Sequence, residues 1–557
     1  GRLGGRKGSS FKSPRSASSG GSEAIRRGVG LGETVRWHSR RPSRALRDLA
    51  RSRRLVGAAL ARAVPSAAAL TPGALRRVAR ATMGLMSGDY GPKKALLARS
   101  GGDLASLVPC AGVADLCRRR QLDPDAVVAL VDGNVAARRR PKDARDVAAA
   151  LDCFCSVVFA SARAAGVTVV VFDDGPTVTA AKRHEQASRD KAHKKVLCSS
   201  DRATAPTSDD YGLEELYAIA EVEDLFTGEG RRAQPRYFDY LAAEAVARFQ
   251  QSYPDRLLIF LSIDPRGADR PIGARREPGV LASRPIAELE RRLAFCVGGE
   301  GDLQLARAER AVRSLAADEH PLFAGLLAIV TCTIDTDAFP IMLLDRATRV
   351  AEGTDDAKIA SFFLHPDQRK PLPGEDEPPS HLAWDIGNLA CDVFSACWPW
   401  KDRPPTGDEQ RALFSLVAAS WALQKSDFVQ TSVPGVRANH TFQAVHSLLL
   451  TDSDAVKKTA VVWSGNPQRV LEFPTVLRRL IFCHAQLLGA EQVTKSGAPN
   501  AFATKTIYRM HDPQPDTLKQ TAFTIAYWTT LPRADDALET SLAEFGINPE
   551  PAIVFAA

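Results

Sequence analysis

LLAIVTCTIDTDAFPIMLL, residues 326–344, is the stretch on which the fold turns. Residues 327–333 are apolar and β-branched, as a buried strand requires, and the run stops at two carboxylates one residue apart, Asp335 and Asp337. Charge at the end of a core strand costs free energy unless it is solvated, paired or bound to a cation. The motif therefore marks either a surface turn or a metal site, and taken alone it does not choose between them. Beyond it, residues 340–344 read as another short strand.

Four other places in the chain end in acid in the same way. Residues 126–131 form an apolar strand that stops at Asp132, after which Gly133 and Asn134 turn the chain. A basic loop, Arg138-Arg139-Arg140-Pro141, leads to a helical stretch over 143–165 that Gly166 stops, and a second strand, 167–172, ends on Asp173-Asp174-Gly175-Pro176. A parallel strand–helix–strand connection of this length is right-handed, which places both acidic ends on one edge of one sheet. A highly charged helix follows over 178–196, with Lys182 and Arg189 two turns apart on one face and Lys191, Lys194 and Lys195 beyond them. A solvated face is the plain reading of such a run.

Helical stretches at 213–225 and 237–251 precede a third strand, 256–262, that ends at Asp264, and a Pro/Gly/Arg loop over 265–279 reads as an insertion. Residues 293–297 read as a short strand meeting Gly298-Gly299-Glu300-Gly301-Asp302, where an amphipathic helix begins. Acids in a first turn have a plain role as caps and dipole partners. Residues 359–364 complete the sheet, and 366–380 form a charged, Pro-rich loop. The last third is helical, with stretches at 384–395, 411–423, 476–488 and 517–527 and a short turn at Gly435.

The 557 residues suffice for two to four domains, and 45% apolar with 25% charged residues is the composition of a folded globular chain. The net charge of +8 is unevenly spread. Residues 1–82 hold 19 Lys+Arg and three acids, +16, so the rest of the chain, with 54 basic and 62 acidic residues, carries −8. A nucleic-acid partner would be held by local patches on an acidic body. Ten cysteines from Cys110 to Cys483 include no C-x-x-C pair and no zinc-like Cys/His spacing, which points to a reducing compartment. No apolar run reaches the roughly 18 residues of a bilayer span, so no membrane association is expected. The leader, 1–82, reads as a transit-like segment, a disordered basic tail, or translated sequence upstream of a start at Met83-Gly84-Leu85.

Strand ends carrying Asp132, Asp173/Asp174 and Asp335/Asp337, with the helix start Glu300/Asp302, describe one site, because ligands of open parallel sheets bind beyond the carboxyl ends of the strands. Such a group of carboxylates repels itself. Hard divalent cations such as Mg²⁺ or Mn²⁺ remove that penalty, and two of them roughly 4 Å apart stabilise the attacking and leaving oxygens of a phosphodiester.

The order of these motifs resembles the flap endonuclease superfamily of 5′ nucleases, which includes the 5′→3′ exoribonucleases. The family's first motif, an Asp ending strand one, is matched by Asp132. Its V-F-D-G is matched, with one residue inserted, by Val171-Phe172-Asp173-Asp174-Gly175, which favours Asp174, the residue before the glycine, as the ligand, with Asp173 as the alternative. Lys182 and Arg189 fit the spacing of the pair that contacts the scissile phosphate. Gly299-Glu300-Gly301-Asp302 corresponds to G-E-x-E/D, Asp335-Thr336-Asp337 to D-x-D, Lys425-Ser426-Asp427-Phe428 to G-C-D-Y, and Ser432-Val433-Pro434-Gly435-Val436 to the helix–two-turn–helix clamp. The match covers residues 127–450. It departs from the family in the extra Asp, in Lys425 and Ser426 for Gly-Cys, in a clamp without its second glycine, and in an expanded region between Asp174 and Glu300.

The resemblance implies an α/β, PIN-like fold with a mostly parallel central sheet flanked by helices. The core would span 83–364 with a helical arch and insertion over 178–280. It would continue over 365–460 with the helix–two-turn–helix region, and a C-terminal helical region would occupy 461–557. Two Mg²⁺ (or Mn²⁺) ions would be held by Asp132, Asp173 or Asp174, Glu300, Asp302, Asp335, Asp337 and Asp427. Lys182 and Arg189 would serve catalysis, and Lys191, Lys194, Lys195, Gly435 and Val436 would contact nucleic acid. The implied activity is that of a monomeric, structure-specific DNA endonuclease and 5′ exonuclease of repair and replication, acting on 5′ flaps or 5′ ends. The alternatives are a 5′→3′ exoribonuclease acting on RNA and an inactive nuclease-like scaffold. The expected location is nuclear, or mitochondrial or another organelle if the leader is a transit peptide. Gln520-Thr521-Ala522-Phe523 begins like a sliding-clamp-binding peptide but lacks its paired aromatics, so no clamp partner is expected.

Overall fold

The computed structural model describes residues 107–138, 147–173, 234–267, 276–335, 337–366, 381–400, 402–424, 429, 431–452, 454–460, 472–494 and 497–530. Asp174, Lys182, Arg189, Lys191, Lys194, Lys195 and Asp427 lie outside the described residues, as do the leader, Met83, and the helices expected at 178–196 and 213–225.

Strand β1 (Leu107–Cys110) and helix α1 (Val113–Arg120) precede β2 (Val127–Asp132), α2 (Gly133–Arg138), α3 (Val147–Ala162) and β3 (Val167–Val171). There follow α4 (Gln234–Ser252), β4 (Leu257–Ile263), β5 (Gly279–Ala282), α5 (Ala287–Leu293), α6 (Gly301–Ala317), β6 (Ala328–Cys332), α7 (Ala338–Glu352), β7 (Ala360–Pro366) and β8 (His381–Asp385). The C-terminal third consists of α8 (Ile386–Cys397), α9 (Gly407–Gln424), α10 (Thr441–Thr451), α11 (Ala455–Ala460), α12 (Phe473–Glu491), α13 (Ala501–His511) and α14 (Pro515–Thr530).

The strands form one mixed sheet in the order β1-β8-β7-β6-β2-β3-β4-β5. Its five central strands, β7, β6, β2, β3 and β4, are parallel, and antiparallel pairing adds β5 on one side and β8, then β1, on the other. Each central strand is a largely apolar run buried on both faces, rich in β-branched residues in β2, β3 and β6 and in Leu and Phe in β4 and β7, which is what a parallel sheet covered by helices requires. Side chains alternate accordingly. Val167, Val169 and Val171 pack with α5 and α6, whereas Val170 and Phe172 pack with α3 and α4. A third core, reaching from Leu303 to Trp528, joins α7 through α14 into one helical body against the sheet.

Chain order reverses at β2. β3 and β4 are laid down on one side of it, β6 and β7 on the other, so the crevice beyond the ends of β2 and β6 is a topological switch point. The register brings the ends level there, with Asp132 opposite Val171 and Val131 opposite Cys332.

Two expected strands are helical instead. Residues 293–297 are the last turn of α5 and a 3₁₀ turn, Ala294–Cys296; Leu289, Leu293 and Cys296 are buried at the i, i+4, i+7 spacing of a helix face. Residues 340–344 belong to α7. Pro340 sits in its first turn, where no backbone donor is required, and the run is apolar all round because α7 is buried between the sheet and α9. The helix expected from residue 384 begins at Ile386, because Asp385 closes β8 and caps α8 by accepting from the Asn388 amide at 3.0 Å. No helix of the described residues is long and apolar enough to cross a membrane.

Candidate metal centre

β2 delivers Asp132 to the switch point, where only 9% of it is exposed. Gly133 follows because a Cβ there would lie 2.7 Å from the carbonyl oxygen of Val171. One Asp132 oxygen accepts from the Val135 amide (3.1 Å) and caps α2, and the other accepts from the Thr333 hydroxyl (2.9 Å) just beyond β6. Thr333 Oγ1 in turn accepts from the Asp335 amide (3.0 Å), and the Asp335 carboxylate accepts from the Asp337 amide (3.1 Å) at the mouth of α7. A continuous chain of hydrogen bonds therefore joins Asp132, Thr333, Asp335 and Asp337.

A second chain enters from β3. The Asp173 amide donates to the Asn134 side chain at 3.4 Å, and the Asp173 carboxylate accepts from the Gly301 amide at 2.6 Å. Gly301 opens α6, so Asp173 meets a helix N-terminus, where exposed amides and the helix dipole favour negative charge. The absence of a side chain is required, since a Cβ on Gly301 would lie 2.7 Å from the same Asp173 oxygen. Glu300, the N-cap of α6, is buried, and Asp302 stands in the first turn. Gly298 and Gly299, both at positive φ, bend the chain into this start.

The electrostatics follow from this convergence. Burial raises the Asp132 carboxyl, the neighbouring charges of Asp173 and Asp335 raise it further, and together they outweigh its two hydrogen bonds, leaving it at about 6. Among the described residues no Lys, Arg or His pairs with Asp132, Asp173 or Asp335. Asp264, at the end of β4, is different. It bonds Arg266 in a fork at 3.0 and 2.8 Å, and although burial opposes it, that guanidinium holds its carboxyl below the usual value. The strand end with its own cation is thus structural, and those without one are the candidates.

The structure gathers Asp132, Asp173, Glu300, Asp302, Asp335 and Asp337 on one sheet edge. Among the described residues, no three of the acids, His or Cys converge closely enough to enclose a cation in this arrangement. Gly435 and Val436 are placed elsewhere. Val436 is buried in the helical core, and Gly435 (φ +91°) is explained by packing, since a Cβ there would meet Thr506, Met510 and Leu488 at 2.6–3.1 Å.

Four polar residues of the site have no counterpart among the expected ones. Asn134 and Thr333 carry the hydrogen bonds described above. Ser262 and Gln304 are buried completely beneath the Gly298-Gly299 turn. In sequence Gln304 is one amide on the apolar side of an amphipathic helix, four residues after Glu300, and only the structure shows that it is wholly buried. No protein-family model matches this chain, and no curated protein sequence matches it.

Proposed function

We propose that the chain is a divalent-metal-dependent 5′ nuclease of the PIN-like, flap endonuclease type, hydrolysing phosphodiester bonds at 5′ flaps or 5′ ends of DNA. The observation that carries this reading is that acids from β2, β3, β6 and the start of α6 stand at the switch point, where burial and the charges of Asp173 and Asp335 raise the Asp132 carboxyl to about 6. An all-oxygen donor set of this kind suits Mg²⁺ or Mn²⁺.

Asp132, Asp173 or Asp174, Glu300 and Asp302 would hold one ion, and Asp335, Asp337 and Asp427 a second. Ions held by these residues would supply positive charge for the oxygens of a phosphodiester. Thr333 and Gly301 orient the Asp132 and Asp173 carboxylates by donating to them, which fixes the site before substrate arrives. Lys182 and Arg189 neutralise charge that develops on the scissile phosphate. The acidic body would otherwise repel a polyanion, so binding depends on local basic patches such as Lys191, Lys194 and Lys195.

The test is Mg²⁺-dependent cleavage of 5′-flap DNA by the wild type and by the Asp335→Ala/Asp337→Ala double variant. Loss of cleavage in the variant alone supports the reading, and equal activity in both removes it. A parallel arm with 5′-monophosphorylated RNA assigns the enzyme to exoribonucleolytic degradation if RNA is the preferred substrate.

A further inference from the structure

Beneath the carboxylates lies a buried polar hub that belongs to none of the resembling motifs. Gln304, in the first turns of α6, is wholly inaccessible. Its amide nitrogen donates to the carbonyl of Phe172 at 2.8 Å and to that of Gly299 at 2.9 Å. Its amide oxygen accepts from the Ser262 hydroxyl at 2.7 Å. The Ser262 hydroxyl also accepts from the Gly298 amide at 2.8 Å. Phe172 and Gly299 are the residues immediately before Asp173 and Glu300, so one side chain ties together the two backbone segments that present those acids.

Proton bookkeeping in this hub has a single solution. Two carbonyls can be met only by the amide's two N–H groups, which leaves its oxygen to accept from Ser262, whose own oxygen then accepts from Gly298. A carboxylate at 304 would face two carbonyls without a proton, and an apolar side chain would strand both. Ser262 is held for this purpose in a backbone conformation that non-glycine residues seldom adopt. It has φ +64° at an irregularity in β4, between Leu261 and Ile263, and its carbonyl accepts from Arg276 at 2.5 Å. Left-handed backbone inside a strand persists only where its surroundings fix it, and it concentrates at functional sites.

We infer that Gln304, seated on Ser262, is a positioning residue of the metal centre: it sets the spacing between the Asp173 and Glu300 segments and so determines metal affinity. The inference rests on the metal-dependent reading of the site.

Its test compares the wild type with Gln304→Met, close in volume, and with Ser262→Ala, which leaves both carbonyl bonds in place. Mn²⁺ binding is measured by isothermal titration, cleavage of flap DNA as a function of Mn²⁺ concentration, and folding by circular dichroism and thermal melting. Outer-shell groups of this kind shift metal affinity by about 10–100-fold. The expected result for Gln304→Met is a rise of that size in both the Mn²⁺ dissociation constant and the Mn²⁺ concentration for half-maximal rate. The KM for DNA should be unchanged, and kcat should recover at saturating Mn²⁺. Ser262→Ala should show the same pattern more weakly. A merely structural amide would lower the melting temperature while leaving the Mn²⁺ dependence alone, and that outcome, in either variant that folds, overturns the inference while the nuclease reading stands. Absence of Mn²⁺ binding and of cleavage in the wild type would instead overturn the metal-dependent reading, and the positioning role with it.

Discussion

Helix α6 borders two clusters of acid, each centred on a buried carboxylate, Asp132 in one and Glu309 in the other, with opposite electrostatics. Near its N-terminus no cation among the described residues pairs with Asp132, Asp173 or Asp335, and burial with the charges of its two neighbours drives Asp132 up to about 6. Further along, Glu309 is just as inaccessible, yet it bonds Arg313 and Arg349, each at 3.0 Å, and Ser361 at 2.5 Å. Asp345 bonds Arg349 at 2.8 Å and is paired with Arg310 as well. Burial raises Glu309 too, but the charges of Arg349 and Arg313 outweigh it and its carboxyl falls to about 2. The lower cluster is electrically complete, and its arginines pin α6 to α7 and to the carbonyl of Ile359 at the start of β7. Among the described residues the upper one holds no such pairing around Asp132, Asp173 and Asp335.

This contrast breaks first at function. Asp132→Asn should abolish Mg²⁺-dependent cleavage of flap DNA by about 10³-fold or more, the scale of losing a main electrostatic element of a site, while leaving the metal-free protein at least as stable as the wild type. Retention of cleavage, or a large loss of thermal stability, would show that Asp132 is a structural acid like Glu309. The lower cluster should respond the other way round. Arg349→Met removes the guanidinium that bridges Glu309 and Asp345, leaving them Arg313 and Arg310 alone, and should cost about 3 kcal/mol of unfolding free energy, read from urea denaturation, with no change in the Mg²⁺ dependence of whatever activity the folded fraction retains.

Titration sharpens the comparison because the two shifts have opposite signs. Asp132 is raised from 3.8 to about 6, so the folded state holds its proton more tightly than the unfolded chain does. Its contribution is fully present below pH 3.8 and is lost as pH rises through 6, about 3 kcal/mol in all for the metal-free protein. Glu309 is lowered from 4.5 to about 2, so its contribution, again about 3 kcal/mol, is present above pH 4.5 and is lost as pH falls towards 2. Urea denaturation in EDTA should show the wild type losing stability relative to Asp132→Asn between about pH 4 and 6, a difference that cancels the opposite slope both proteins share from buried His484, whose imidazole is lowered to about 3. Added Mg²⁺ should remove that difference. Parallel curves for the two proteins would mean that Asp132 carries no such proton.

How much of this was legible in sequence depended on how far each signal reaches along the chain. The central strands were readable because each is a local apolar run, and β2, β3, β4 and β6 end on or just before acid, as residues 327–333 do. Strands β1, β5 and β8 were not, because LVPC, GVLA and HLAWD are short, partly exposed and defined by partners far away in the chain, as Leu107 is by Trp384. PIMLL in α7 misled because a helix buried on all sides has no polar face to reveal its period. The carboxylates were legible since few contexts tolerate them at strand ends. Their supports were not, since Thr333 and Gln304 look like ordinary helix or strand residues until the groups that they bond to, the Asp132 carboxylate 201 positions away and the Phe172 carbonyl 132 positions away, are brought beside them.

The smallest expected effect isolates a single contact of the upper cluster. Gly301 donates its amide to Asp173 and offers it room that no other residue would leave. In Gly301→Ala the new methyl group would stand 2.7 Å from that carboxylate oxygen, so Asp173 must rotate away and give up its bond to the helix start. Alanine in a helix is itself favourable, so the fold should hold, and the loss should fall on the metal: about tenfold weaker Mn²⁺ binding by isothermal titration, equivalent to about 1.4 kcal/mol. Gly133→Ala is the instructive control, because its methyl group meets the backbone oxygen of Val171 at 2.7 Å and cannot be relieved by a side-chain rotation. That variant should lose stability as well as metal affinity. Unchanged Mn²⁺ binding in Gly301→Ala would mean that Asp173 takes no part in the site, and would transfer its role to Asp174.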